Sequence, residues 1–130
     1  LDADEVWLLG NPAVRSEEEE LTGDSVKMTV IDNKPSILSL IGNAKVLSYT
    51  NDTLQNQMMG KTLDAKFTGG DIDHVDINGN GNILYYTIDD AGSVSINEAT
   101  CSHIKMRFRN REVESIILLN SPEGSVKKLN

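Results

Sequence analysis

The run Asp76-Ile77-Asn78-Gly79-Asn80-Gly81 has oxygen donors at alternate positions and a glycine at the sixth, like the opening of a calcium loop. Ile83 even stands where such loops carry an apolar residue. The twelfth place, which asks for a bidentate Glu, is Thr87, and the flanks read as strands instead of helices. The equivalent turn Leu40-Ile41-Gly42-Asn43-Ala44 has no carboxylate at all. A turn that recurs without its ligands serves backbone geometry. Cys101 and His103, two apart on a strand, would share a face and offer two metal ligands, but no third or fourth donor can be named. Asp71, Asp73 and Asp76 bring to mind glycoside hydrolysis, which needs two carboxyls about 5 to 9 Å apart. No sugar-stacking aromatic cluster accompanies them, and a solvated strand edge explains them. His74 falls on an outward position, and no Ser-His-Asp set can be assembled around it or His103. The expectation is therefore a protein with no catalytic residue, no metal and no cofactor.

The elements that would position these residues repeat. Gly60 to Tyr86 (GKTLDAKFTGGDIDHVDINGNGNILYY) lies without a gap on Gly23 to Tyr49 at an offset of 37 residues. Leu63 falls on Val26, Phe67 on Val30, Val75 on Leu38, Ile77 on Leu40 and Gly79-Asn80 on Gly42-Asn43. At an offset of 41, Leu63, Ala65, Phe67, Val75 and Ile77 meet Ile104, Met106, Phe108, Ile116 and Leu118. The spacing predicts a single domain over residues 1–130, built from a partial unit at 1–22, units at 23–59 and 60–100, and a partial unit at 101–130.

Within a unit, Val26, Met28 and Val30 alternate with Lys27 and Thr29, the period of a half-buried strand. Asp32-Asn33, Gly69-Gly70, Asp89 to Gly92 and Arg109-Asn110-Arg111 are turn signals. Gly10-Asn11, Gly42-Asn43 and Gly79-Asn80 are read as tight strand-to-strand turns, since Gly and Asn accept positive φ. The four carboxylates Glu17 to Glu20, with Leu54 to Met59 and Val94 to Thr100, are read as fourth strands of their units. Helical periodicity is absent. The chain is predicted to be all-β, about a dozen short antiparallel strands in a sandwich, jellyroll or coiled sheet.

A net charge of −8 argues against nucleic-acid binding, which draws on Lys and Arg, and against adsorption to an anionic membrane. No window approaches the roughly 20 apolar residues of a membrane span. No signal peptide is visible and the chain starts at Leu1, as expected of a mature form or a fragment of a longer protein. The single Cys101 excludes an internal disulfide. The aliphatic, Met-rich inner face is either a packed core or the wall of a sheet that holds an apolar ligand.

The pattern G-x-[ST]-[LV]-x-[AM]-x-[FV], a turn, alternating apolar residues and then G-N-A-x-V resembles the OstA-like family. Gly23 to Val46 and Gln57 to Tyr86 carry it most closely, with Ala99-Thr100-Cys101-Ser102 and Ser121-Pro122-Glu123-Gly124 adding to it. The resemblance implies a V-shaped antiparallel β-jellyroll of tandem four-stranded repeats, and a non-enzymatic lipopolysaccharide carrier or bridge in the periplasm, or at the periplasmic face of the outer membrane, of a Gram-negative bacterium. Lipid A acyl chains would lie in an apolar groove lined by Val26, Met28, Val30, Leu38, Leu40, Leu63, Phe67, Val75, Ile77, Ile104, Met106, Phe108, Ile116 and Leu118. Other OstA-like domains would join by edge pairing at Val6, Trp7 and Leu8 and at Val126 and Leu129. Lipid phosphates could meet Lys27, Lys66, Lys105 or Arg107. The alternatives are an envelope assembly module of the same fold with a filled core, and a carbohydrate-interacting β module.

Overall fold

Gly42 and Asn43 both have positive φ (80° and 48°), as do Gly79 and Asn80 (82° and 52°). Such a pair steps the chain sideways, and Gly, Asn and Asp are the residues that take it at least cost. The expectation that these pairs reverse the chain is corrected here. Ile41 and Ala44, on either side of the first pair, bond to the same neighbouring strand, at Thr62 and Gly60. A hairpin would pair them with each other. The Gly-Asn pairs are bulges inside long strands, two residues set against one on the partner.

The structure, a computed structural model, describes residues 3–49, 51, 53–110, 112–120 and 123–128. The strands are β1 (Ala3–Leu9), β2 (Ala13–Arg15), β3 (Glu19–Thr22), β4 (Ser25–Ile31), β5 (Lys34–Tyr49), β6 (Gln55–Thr68), β7 (Asp71–Ile88), β8 (Val94–Arg109), β9 (Glu112–Leu119) and β10 (Glu123–Lys128). Among the described residues they form one antiparallel sheet of ten strands in place of a dozen short ones, because β5 to β8 run for 14 to 18 residues each. The segments Leu54 to Met59 and Val94 to Thr100 accordingly run on into the next unit instead of ending as separate strands.

The bulges align and bend the sheet into two leaves. The first leaf holds β1, β4, the first half of β5, the second half of β6, the first half of β7, the second half of β8, and β9. The second holds β2, β3, the complementary halves of β5 to β8, and β10. At the corner β5 and β7 spend two residues where β6 and β8 spend one, so the inner face stays inner on every strand. In β6 the buried positions switch from Asn56 and Met58 to Leu63 and Ala65; in β8 they switch from Ala99 and Cys101 to Ile104, Met106 and Phe108. This switch overturns one expectation: Cys101 is buried on the inner face, while His103 stands on the outer one.

The hairpins at the leaf rims follow their turn residues. Asp32 and Asn33 (φ 52° and 63°) and Gly69 and Gly70 (φ 63° and 88°) make two-residue turns with both centres left-handed, which matches the twist of the flanking strands. The Asp89 carboxylate accepts the amides of Ala91 and Ser93, both at 2.9 Å, and so closes the β7–β8 loop.

Candidate functional site

Cross-strand register turns the alternating apolar residues into continuous rows on the inner face of the first leaf. The row nearest the corner runs Leu8, Val26, Leu40, Leu63, Ile77, Ile104 and Leu118, each opposite the next. The next runs Val6, Met28, Leu38, Ala65, Val75, Met106 and Ile116. Phe67 and Phe108 lie one step further out, with Val30 on β4 at the same level. Every groove residue expected from the sequence therefore sits on this one leaf. Val26, Leu40, Leu63, Ile77 and Ile104 are fully buried, whereas Met28, Val30, Phe67, Ile116 and Leu118 keep part of their surface in solvent.

The opposite wall was not legible as a groove. Its inner row runs Val14, Leu21, Val46, Met58, Ile83 and Ala99, and it packs into the same hydrophobic cluster as the first leaf. The next row outward is polar: Glu19 opposite Ser48, Ser48 opposite Asn56, and Tyr85 opposite Asn97. Glu19, Ser48, Asn56 and Asn97 are all buried. A signal for them existed. Glu19, Asn56 and Asn97 are spaced by the same 37 and 41 residues as the apolar repeat, and so are Leu21, Met58 and Ala99.

These polar groups are held by backbone. Asn56 accepts the Tyr86 amide at 2.9 Å. Asn97 donates to the Tyr85 carbonyl at 3.3 Å and to the Thr87 hydroxyl at 3.2 Å. Glu19 accepts the Ser16 hydroxyl at 3.2 Å and the amide of Ile72, which belongs to the first leaf. The β2–β3 hairpin thus straps the two leaves together at one end. Burial pushes the Glu19 carboxyl above its ordinary value; Asp71 beside it adds to the rise, and the Ser16 and Ile72 hydrogen bonds oppose it.

Beside the strap the inner face opens at a mouth. Ile31, Pro35, Ser36 and Phe67, with Gly69 and Gly70, line a largely apolar cavity of about 550 Å³, and Lys34 stands at its rim. Two further hollows are more polar or lie outside. One of about 460 Å³ is lined by Asp71, Asp73, Arg107 and Arg109. The other, of about 920 Å³, follows the outer side of the corner past Asp24, Lys45, Met59 and Lys61.

The remaining candidates disperse. Asp71 faces the Glu19 hairpin, Asp73 lies 2.8 Å from His74 Nδ1 but off hydrogen-bonding geometry, and Asp76 contacts His103 Nε2. Arg107 donates from Nε to His74 Nε2 at 3.3 Å. Among the described residues no three of His, Cys, Asp and Glu are grouped to hold a metal ion. In the Asp76 run, Asp76 and Asn78 point away from the buried Ile77 and the run is strand, not loop. Lys27, Lys66, Lys105 and Arg107 all stand on the outer face, away from the inner rows.

Both ends of the sheet present strands whose outer edges pair with no described strand: β1 and β2 at one end, β9 and β10 at the other. On β1, Val6, Trp7 (52% exposed) and Leu9 (75%) meet solvent, while Leu8 packs on the core. Lys27 Nζ sits 5.9 Å from the centre of the Trp7 ring. Ile117 and Leu119 are exposed on β9. Val126 lies in β10 opposite Asn97, and Leu129 falls outside the described residues.

No protein-family model matches the chain, and no curated protein matches it in sequence. Among solved structures, the chain is similar to LptH of Pseudomonas aeruginosa, the LptA-homologous periplasmic component of the conserved lipopolysaccharide transport device. The match has a TM-score of 0.69 and 13% identity, and covers 99% of this chain and 90% of that one. At that identity the likeness speaks for architecture: the chain has the LptA-like, OstA-like β-jellyroll fold, one open antiparallel sheet bent on a line of bulges.

Proposed function

We propose that the protein is a non-enzymatic module that carries or bridges lipopolysaccharide across the periplasm of a Gram-negative bacterium, with lipid A acyl chains held between the two leaves. The observation that carries this reading is the agreement of nearly the whole chain with a periplasmic lipopolysaccharide-transport component, in a fold whose two leaves share one apolar cluster. Burial of acyl chains supplies about 0.8 kcal/mol per CH₂, so a multi-acyl lipid needs no polar anchor in the depth of the groove. The groove residues are those of the first leaf, from Val26 to Leu118, together with the inner row of the second. Free strand edges at both ends support end-to-end joining with other domains of this fold, through β1 and β2 on one side and β9 and β10 on the other.

One observation favours a second reading, an assembly module with a filled core: the row from Val26 to Ile104 is closed to solvent. Native mass spectrometry on protein from a Gram-negative host separates the two. Co-purified lipid, or uptake of a lipid A probe by the stripped chain, is the expected result. A chain that is lipid-free and takes up no probe would leave the filled core standing.

A further inference from the structure

The polar row of the second leaf has a position that its structural duties do not explain. It lies outward of the apolar row, and Glu19 marks its level against the first leaf, at Ile72, beside the buried Phe108 and half-buried Phe67. An amphiphile lying between the leaves therefore meets hydrocarbon near the corner and hydrogen-bonding groups at the mouth. Asn56 and Asn97 are engaged by the backbone of β7. Tyr85, between them in the row, is different. Its side chain is half-buried against the core cluster, while its hydroxyl, which no described residue hydrogen-bonds, reaches solvent and is available as a donor.

We infer that this row is a subsite for the polar linkages of an acyl amphiphile, the ester or amide carbonyls that join its chains to a headgroup, with the Tyr85 hydroxyl as the hydrogen-bond donor. The inference rests on the lipid-groove reading and deepens it. Chains lie toward the corner, linkages lie level with Tyr85, and the headgroup projects past the rim. Chemical class is thereby selected, because a hydrocarbon without a carbonyl leaves the donor unanswered.

The test compares wild type with Tyr85→Phe, which keeps the ring and its packing. Two probes of similar length are measured by displacement of a fluorescent apolar dye: methyl myristate, which has an ester, and hexadecane, which has none. Tyr85→Phe should weaken methyl myristate about three- to tenfold, the worth of one neutral hydrogen bond, and leave hexadecane unchanged or more tightly bound. Equal weakening of both probes, or of neither, overturns the subsite while the groove stands. If wild type binds neither probe, the groove reading falls and the subsite with it.

Discussion

The two leaves share strands yet differ in what they turn inward. The first presents apolar rows throughout its depth, and the second presents one apolar row and then a buried polar one. Identical strands, read through the same corner, thus make one wall that only repels water and one that also holds hydrogen bonds. The difference teaches that packing and polar pairing are divided between the walls: loss of packing should dominate on the first leaf, and loss of polar partners on the second.

The sharpest break is expected on the first leaf. Leu63→Ala or Ile77→Ala removes a fully buried side chain in the middle of the corner row, and should cost about 2–5 kcal/mol in urea unfolding. Phe67→Asp at the mouth should abolish folding or lipid uptake, while Asp73→Ala should alter stability by no more than about 0.5 kcal/mol and leave uptake intact. Equal damage from those two would erase the distinction between inner and outer faces. The corner that joins the leaves comes next. A Cβ on Gly81 would sit 2.8 Å from the Cys101 carbonyl oxygen and 2.9 Å from Ile104 Cδ1, so Gly81→Ala should cost about 1–3 kcal/mol. On the second leaf, Asn56→Ala orphans the half-buried Tyr86 amide and should cost about 1–3 kcal/mol, with hydrogen exchange quickened at Tyr86 first.

The smallest effect concerns Glu19. Its folded value lies above the ordinary 4.5, so the folded state holds the proton more tightly than the unfolded one. The benefit is complete below the unfolded value and is lost as pH rises through the raised folded value. Glu19→Gln should therefore raise the melting temperature at neutral pH and flatten its fall from acid to neutral. An unchanged profile would mean that the strap does not depend on this carboxylate.

The first leaf was readable because its rows alternate apolar and polar at period 2 and recur at a fixed offset. Val26, Leu63 and Ile104 could be stacked on paper, and register places them in one row. The corner was not, since Gly42-Asn43 has the composition of a hairpin turn and only tertiary pairing tells a bulge from a reversal. Without the bulge, the phase switch that separates Cys101 from His103 could not be anticipated either. The second leaf was missed for a different reason. A row of Glu, Ser, Asn and Tyr carries no hydrophobic signal, although its repeat spacing was present all along.

Nothing in the bulged corner limits how many times it can be used. Each repeat contributes two long strands, one with the double step and one with the single step, and strands stand about 4.8 Å apart. A further copy of the unit would lengthen the bent sheet by roughly 10 Å without altering its cross-section. Reach is in this sense an additive property of the polypeptide, set by gene length.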